Sequence, residues 1–239
     1  MNEPDRSLDI LGAKPIAESV HTVTAATTVG VGAFLSRICL PAAEEFGLLL
    51  QDKVRGWRAR NATAIVERAA EMVDALPYAA NRQAHPRIVG AILDAGSWAD
   101  EDDVRAMWAG LLATSCTETG RSHENLIFVN LLAQLTPSQA RLLNLSCAKA
   151  PKSKTSAGLI QAQRYSPTIE EIKAASGTTD LHLLDLEVDH LRELGLLQLE
   201  SGLSPHEAEP ARLTPSAIAL LLYVRSAGHL GSPVEYFAL

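Results

Sequence analysis

The residues able to do chemistry fall in a few places, and most lack the spacing that a reaction needs. Gly12-Ala13-Lys14-Pro15 lacks both the first glycine and the hydroxyl residue of a phosphate-cradling loop. Neither H-E-x-x-H nor the G-x-S-x-G nucleophile elbow occurs. A metal-free helical ribonuclease would pair an Arg with a His further along one helix for proton transfer. Arg60-Asn61 opens that pattern, but no His follows within the next two turns, and Arg225 and His229 stand too close together for it. His182, Asp185 and Asp189 share a helix face at i, i+3 and i+7, with His190 adjacent. Such a set would hold a divalent cation or form a solvated acidic face; the second is expected, because charged side chains are mostly exposed. Cys39, Cys116 and Cys147 are odd in number and lack any C-x-x-C spacing. They read as reduced, buried thiols. The expectation is a non-enzyme with no catalytic residue, cofactor or metal site.

The feature with most functional content is Trp57 among Lys53, Arg55, Arg58 and Arg60. Trp beside basic residues suits a membrane interface, and also another anionic partner such as RNA or an acidic protein. A basic exposed face with Trp57 docked inward is the plainer reading. Upstream, Val20 to Ser36 contains no Asp, Glu, Lys or Arg over seventeen residues. It is rich in Thr, Ala and Gly, whereas a spanning helix wants about 20 strongly apolar residues. A packed helix is expected there, with membrane engagement as the alternative. Met1-Asn2-Glu3-Pro4-Asp5 is polar and acidic, unlike a secretory leader. A cytoplasmic protein is expected, peripheral at the inner membrane if those first helices engage it.

These residues must be positioned by helices. The chain has 239 residues, 47% of them apolar and only 5% aromatic, so its core is built from Ala, Leu, Val and Ile. Ala and Leu favour helix. Long helices are expected from about Pro15 to Leu40 and from Pro41 to about Leu76, the second divided at Gly56. A short one follows Pro86. Val104, Met107, Trp108, Leu111 and Leu112 then mark one apolar stripe of period 3.6. Leu126 to Leu135 reads as a central helix, and Thr136-Pro137-Ser138-Gln139 is a capping box that starts the next.

Residues 149–166 read as a linker with no clean period. Beyond them Thr168-Ile169-Glu170-Glu171 is a second capping box, and Asp180 an N-cap. The helix after Asp180 carries Leu183, Leu184, Leu186, Val188 and Leu191 as its expected core set, and Gly195 as its C-terminal cap. Leu196 to Leu199 and Ala211 to Leu213 read as a short hairpin, and Thr214-Pro215 as the start of a last helix. Helix, turn, helix, strand, loop, strand is the order of a winged helix-turn-helix. The charges argue against DNA. Thr168 to Glu209 holds ten acids against Lys173 and Arg192, a net of −8 within a chain whose total is −7. Asp185, Glu187 and Asp189 sit where DNA readers need Arg, Lys, Asn or Gln, and phosphate contact would be repulsive. Those three residues form the expected protein-interaction face.

Three stretches carry a family resemblance: Ala106-Met107-Trp108-Ala109-Gly110-Leu111-Leu112-Ala113, Phe128-Val129 through Leu135-Thr136-Pro137-Ser138-Gln139-Ala140, and Leu191 to Leu196 followed by Arg212-Leu213-Thr214. Together they resemble the Abi-alpha family of bacterial abortive-infection proteins, long described as a domain of unknown function. His123-Glu124-Asn125 departs from the His-Pro pair that often precedes the Phe, and Pro215-Ser216-Ala217 replaces a Gly-containing turn. The resemblance covers roughly Pro15 to Val224. It implies antiviral defence by disabling the infected cell, and it brings no catalytic motif to carry over.

The expected architecture is all-α, mainly a helical bundle, with a C-terminal winged-helix-like module carrying a short β-hairpin. Residues 1–148 form the helical domain, 149–166 the linker, 167–226 the module and 227–239 a tail. The expected role is phage defence with the N-terminal helices engaging a membrane. The alternative is a soluble interaction protein that senses a phage product through its acidic module. A protein partner or phage-derived trigger is expected, homo-oligomerisation is open, and specific DNA binding is not expected.

Overall fold

Ala and Leu lose little side-chain entropy in a helix, and the chain folds accordingly. The computed structural model describes residues 25–39, 41–42, 53–203 and 211–239. Among these the protein is mostly helical with one small two-stranded antiparallel sheet. The first helices are α1 (Ala25–Ile38), α2 (Lys53–Asp74), α3 (Pro86–Gly96), α4 (Asp102–Ser115), α5 (Leu126–Leu132) and α6 (Pro137–Lys149). The expected parts of the two long helices at 15–24 and 43–52 lie outside the described residues. Gly56 does not divide α2, which runs through it unbroken.

The centre of the molecule is α4. Every residue from Met107 to Cys116 is buried, and α2, α3 and α9 (Ala217–Ser226) pack around the helix. Its expected apolar stripe is present, but Ala109, Gly110 and Ala113 are buried as well, because small residues let neighbours close on the other faces. Gly110 is the extreme case: a Cβ there would lie 1.9 Å from the Ser226 carbonyl oxygen. The end of α9 therefore crosses directly over Gly110. This corrects the expectation of a central helix at Leu126 to Leu135. Helix α5 ends at Leu132, buries Phe128, Val129 and Leu132, and leaves Ile127 exposed.

Helix starts follow local chemistry. Thr136 Oγ1 accepts from the Gln139 amide at 3.1 Å while Gln139 Oε1 accepts from the Thr136 amide at 3.0 Å, the reciprocal bonds of a capping box. Thr168 and Glu171 repeat the motif at α7 (Ile169–Ser176). Asp180 Oδ1 accepts from the His182 amide at 2.9 Å at the start of α8 (Leu181–Glu193).

The strands are not where the sequence placed them. Between Leu196–Leu199 and Ala211–Leu213 there is no ladder, only isolated bridges pairing Leu197 with Pro215 and Gly202 with Arg212. Pro215 has no N–H to donate, so a continuous ladder is blocked there. The sheet lies instead within residues 149–166, where β1 (Lys152–Lys154) pairs with β2 (Ile160–Ala162) in the register Lys152 to Ala162, Ser153 to Gln161 and Lys154 to Ile160. Gly158, at φ 81°, sits in its turn. Ile160 and Ala162 point into the core. Helix α9, expected as the last, is capped by Ser216, whose hydroxyl accepts from the Ala219 amide at 3.3 Å. Thr214 is used elsewhere, accepting from the Tyr165 amide at 3.2 Å. Residues after 226, expected as a tail, form α10 (Pro233–Tyr236). Phe237 lies stacked on Tyr223 at 6.1 Å, and Arg225 Nη1 donates to the His229 and Leu230 carbonyls at 3.2 and 2.6 Å. One connected set of buried side chains runs from Val31 in α1 to Leu222 in α9.

Candidate functional site

The basic region around Trp57 is less free than its composition implied. Lys53 and Arg55 start α2, and their side chains lie outside the described residues. Trp57 is half-buried and meets Trp98 edge-on, the ring centroids 5.9 Å apart. Arg58 is occupied by the fold: Nη2 donates to Asp94 Oδ1 at 2.7 Å, Nε donates to Ser97 Oγ at 2.9 Å, and the guanidinium lies 4.4 Å over the Trp98 ring. Such an arrangement combines an ion pair with a cation–π contact. Asn61 ties down the same turn, with Nδ2 donating to the Ser97 carbonyl at 3.0 Å. Arg60 is exposed. The sequence reading missed Trp98, which is 55% exposed. A Gly96-Ser97-Trp98 turn between an apolar helix and an acidic one was the available signal. Asp100, Glu101 and Asp102 follow it directly, so this edge is aromatic and acid-flanked.

The expected acidic face on α8 divides into two. Leu184, Val188 and Leu191, at i, i+4 and i+7, are fully buried and seat the helix on the core. Glu187 belongs to that inner face and is only 6% exposed. Its carboxylate accepts from Thr136 Oγ1 at 3.2 Å and from Ser138 Oγ. Gln139 Nε2 donates to the Glu187 carbonyl at 3.3 Å and lies 2.9 Å from His190 Nδ1. Glu187 therefore places a carboxylate at the N-terminus of α6, where the helix dipole favours negative charge. Its assignment to an exposed interaction face is corrected. Asp185 is exposed, and Asp189 pairs with Arg192 at 2.7 Å.

The leucines are the larger surprise. Leu183 and Leu186, expected in the core, are 43% and 66% exposed. Leu181 is exposed too. The outer surface of α8 thus carries Leu186 with Asp189 and Glu193 at i+3 and i+7, flanked by Leu183 on one side and Asp185 on the other.

Other polar groups are engaged in holding the fold. Burial pushes the Cys116 and Cys147 thiols up to about 12, against weaker lowering by Arg37 and Arg82 on the first, and by a Ser146 hydrogen bond and Lys152 on the second. Thiols so raised are poor nucleophiles at neutral pH. A cavity of about 150 Å³ opens at the C-terminal end of α4, where Thr114, Ser115 and Asn125 meet Arg225. There Asn125 Nδ2 donates to Thr114 Oγ1 at 2.9 Å and Ser115 Oγ at 3.0 Å, while both hydroxyls donate to α4 carbonyls. This network terminates α4. Among the described residues no three His, Cys, Asp or Glu side chains are grouped to hold a metal ion.

A family model described as abortive infection alpha matches residues 58–213, a stretch that begins just after Trp57 and holds Trp98 and all of α8. No curated protein matches the chain, and no solved structure does.

Proposed function

The chain belongs to the abortive infection alpha family, and from that premise we propose that it defends a host cell against phage by docking a protein partner on the outer face of α8, without catalysis of its own. The observation that carries this reading is the pair Leu183 and Leu186, exposed on a helix whose opposite face is fully buried. Two large apolar side chains at i and i+3 make one contiguous patch, and such patches mark contact surfaces more often than isolated leucines do. The groups that a reaction would draw on favour the same reading. Glu187 holds the start of α6, Arg58 holds the turn at Ser97, and the Cys116 and Cys147 thiols are raised by burial. We read α7 and α8 as a helix-turn-helix pair, a reading supported by their order in the chain and by the isolated bridges at Leu197 and Gly202 that follow them. In this reading the second helix of the pair meets protein rather than DNA. A plaque assay tests it: L183S/L186S loses protection while retaining a cooperative melt, and unchanged protection would remove the basis for the reading.

A second reading, contact with an anionic membrane, is favoured by the exposed Trp98 beside Trp57 and Arg60. It fits a peripheral contact better than insertion. Val31, Phe34, Leu35 and Ile38 of α1 are buried against the core, and no helix among the described residues is long and apolar enough to cross a membrane. The acids flanking Trp98 oppose an anionic surface. Flotation with anionic liposomes is therefore expected to leave the protein at the bottom of the gradient; co-migration that Trp98→Ala abolishes would restore the membrane reading.

A further inference from the structure

We infer that the outer face of α8 takes a basic amphipathic helix, one apolar along a single side and bearing Lys or Arg beside it. This deepens the docking reading and rests on it. Three features of the face fix the class of occupant. It is a rigid platform: Leu184, Val188 and Leu191 anchor it from below, Glu187 accepts from the Thr136 and Ser138 hydroxyls, and Arg192 Nη1 donates to the Ser201 carbonyl at 3.1 Å. Binding therefore costs little reorganisation on this side. Its apolar content is a row, Leu183 and Leu186 at i and i+3, which a second helix fills with side chains at its own i, i+3 and i+4 positions. It offers no sheet edge, so an added strand would find no backbone to pair with.

Charge then selects among helices. Asp185, Asp189 and Glu193 run at i, i+4 and i+8 along the side of the helix next to Leu186, with Leu183 on the other side of Leu186, and Asp180 caps the helix at its start. Arg192 is the one Lys or Arg on α8, and it is already paired with Asp189. His182 is exposed and His190 half-exposed on the same helix. Opposite potentials across an interface steer encounter and reject like-charged competitors. An acidic helix, a nucleic acid and an anionic membrane are all disfavoured by the same rim.

The test uses the full chain and three fluorescein-labelled peptides of about 18 residues, roughly five helical turns. One has Leu on a single face and Lys elsewhere; one has the same Leu pattern with Glu; one keeps the Lys positions but replaces Leu by Ser. Anisotropy is expected to show the Leu/Lys peptide binding at least about tenfold tighter than either control, a difference of about 1.4 kcal/mol. L183S/L186S and D185K/E193K are each expected to lose about tenfold of that affinity while melting cooperatively. Leu186→Gln, at the most exposed of the leucines on α8, guards against an unfolding artefact and should lose part of it. Equal binding of the three peptides overturns the inference, as does undiminished binding by L183S/L186S. Sedimentation that shows self-association lost in D185K/E193K, without peptide discrimination, also overturns it and makes a second copy the occupant. If discrimination fails while L183S/L186S still loses phage protection, the docking reading survives and only the basic partner is wrong. If protection is undiminished, the docking reading itself fails.

Discussion

Asp185 and Glu187 are two residues apart on one helix, and the structure gives them opposite roles. Asp185 lies in solvent. Glu187 is buried and satisfies the hydroxyls of Thr136 and Ser138. Removing the carboxylate would take away the two charge-assisted hydrogen bonds that it accepts from the Thr136 and Ser138 hydroxyls, at a cost of about 1–3 kcal/mol. Glu187→Ala is therefore expected to lower the melting temperature by several degrees, on the scale of roughly 2–4 °C per kcal/mol for a chain this size. Asp185→Ala is expected to stay within about 0.5 kcal/mol of the parent, as exposed substitutions do. Urea titration of both variants measures the contrast, and equal stabilities would contradict the buried role of Glu187. The contrast was hidden in the sequence because burying Glu187 depends on α6, more than forty residues away in the chain. Trp98 was hidden likewise: its partners Trp57 and Arg58 come from a different helix.

Helices were legible where their signals are local. The capping boxes at Thr136 and Thr168 and the cap at Asp180 form as their sequences imply, because donor and acceptor are within three residues. Faces were less legible. Helix α8 has Leu or Val at 181, 183, 184, 186, 188 and 191, apolar on several sides, so periodicity alone could not choose which set faces inward. The small sheet escaped because Lys152-Ser153-Lys154 is polar and only three residues long. The alternation of Ile160-Gln161-Ala162 is too brief to stand out. The position of α4 at the centre was half visible in its stripe, but the close approach of α9 at Gly110 was not. That approach gives a sharp expectation. Gly110→Ala forces a methyl into the Ser226 carbonyl, where backbone must shift. A loss of at least about 1–3 kcal/mol is expected from such overpacking. Gly90→Ala in α3, where an added Cβ would meet nothing within 4 Å, is expected to be neutral or to stabilise by up to about 1 kcal/mol through helix propensity. Thermal melts that rank the two variants the other way would contradict the packing of α4 against α9.

At the scale of the whole chain, the net charge of −7 is unevenly held, with −8 between Thr168 and Glu209. Two exposed apolar places lie near acids: Trp98, with Asp100, Glu101 and Asp102 shortly after it in the chain, and Leu186, with Asp189 and Glu193 at i+3 and i+7. Of the basic groups that suggested an anionic partner, Arg58 is committed to Asp94. The described part of the Val20 to Ser36 run ends in side chains that complete the core. Family membership supplies the setting, abortive infection, and the means we propose is recognition of a protein on the exposed leucines of α8. The most direct measurement is the efficiency of plating of phage on cells making L183S/L186S, matched to the parent in expression and melting temperature. Plating is expected to rise to the level of cells lacking the protein; plating held as low as with the parent chain would overturn docking on α8.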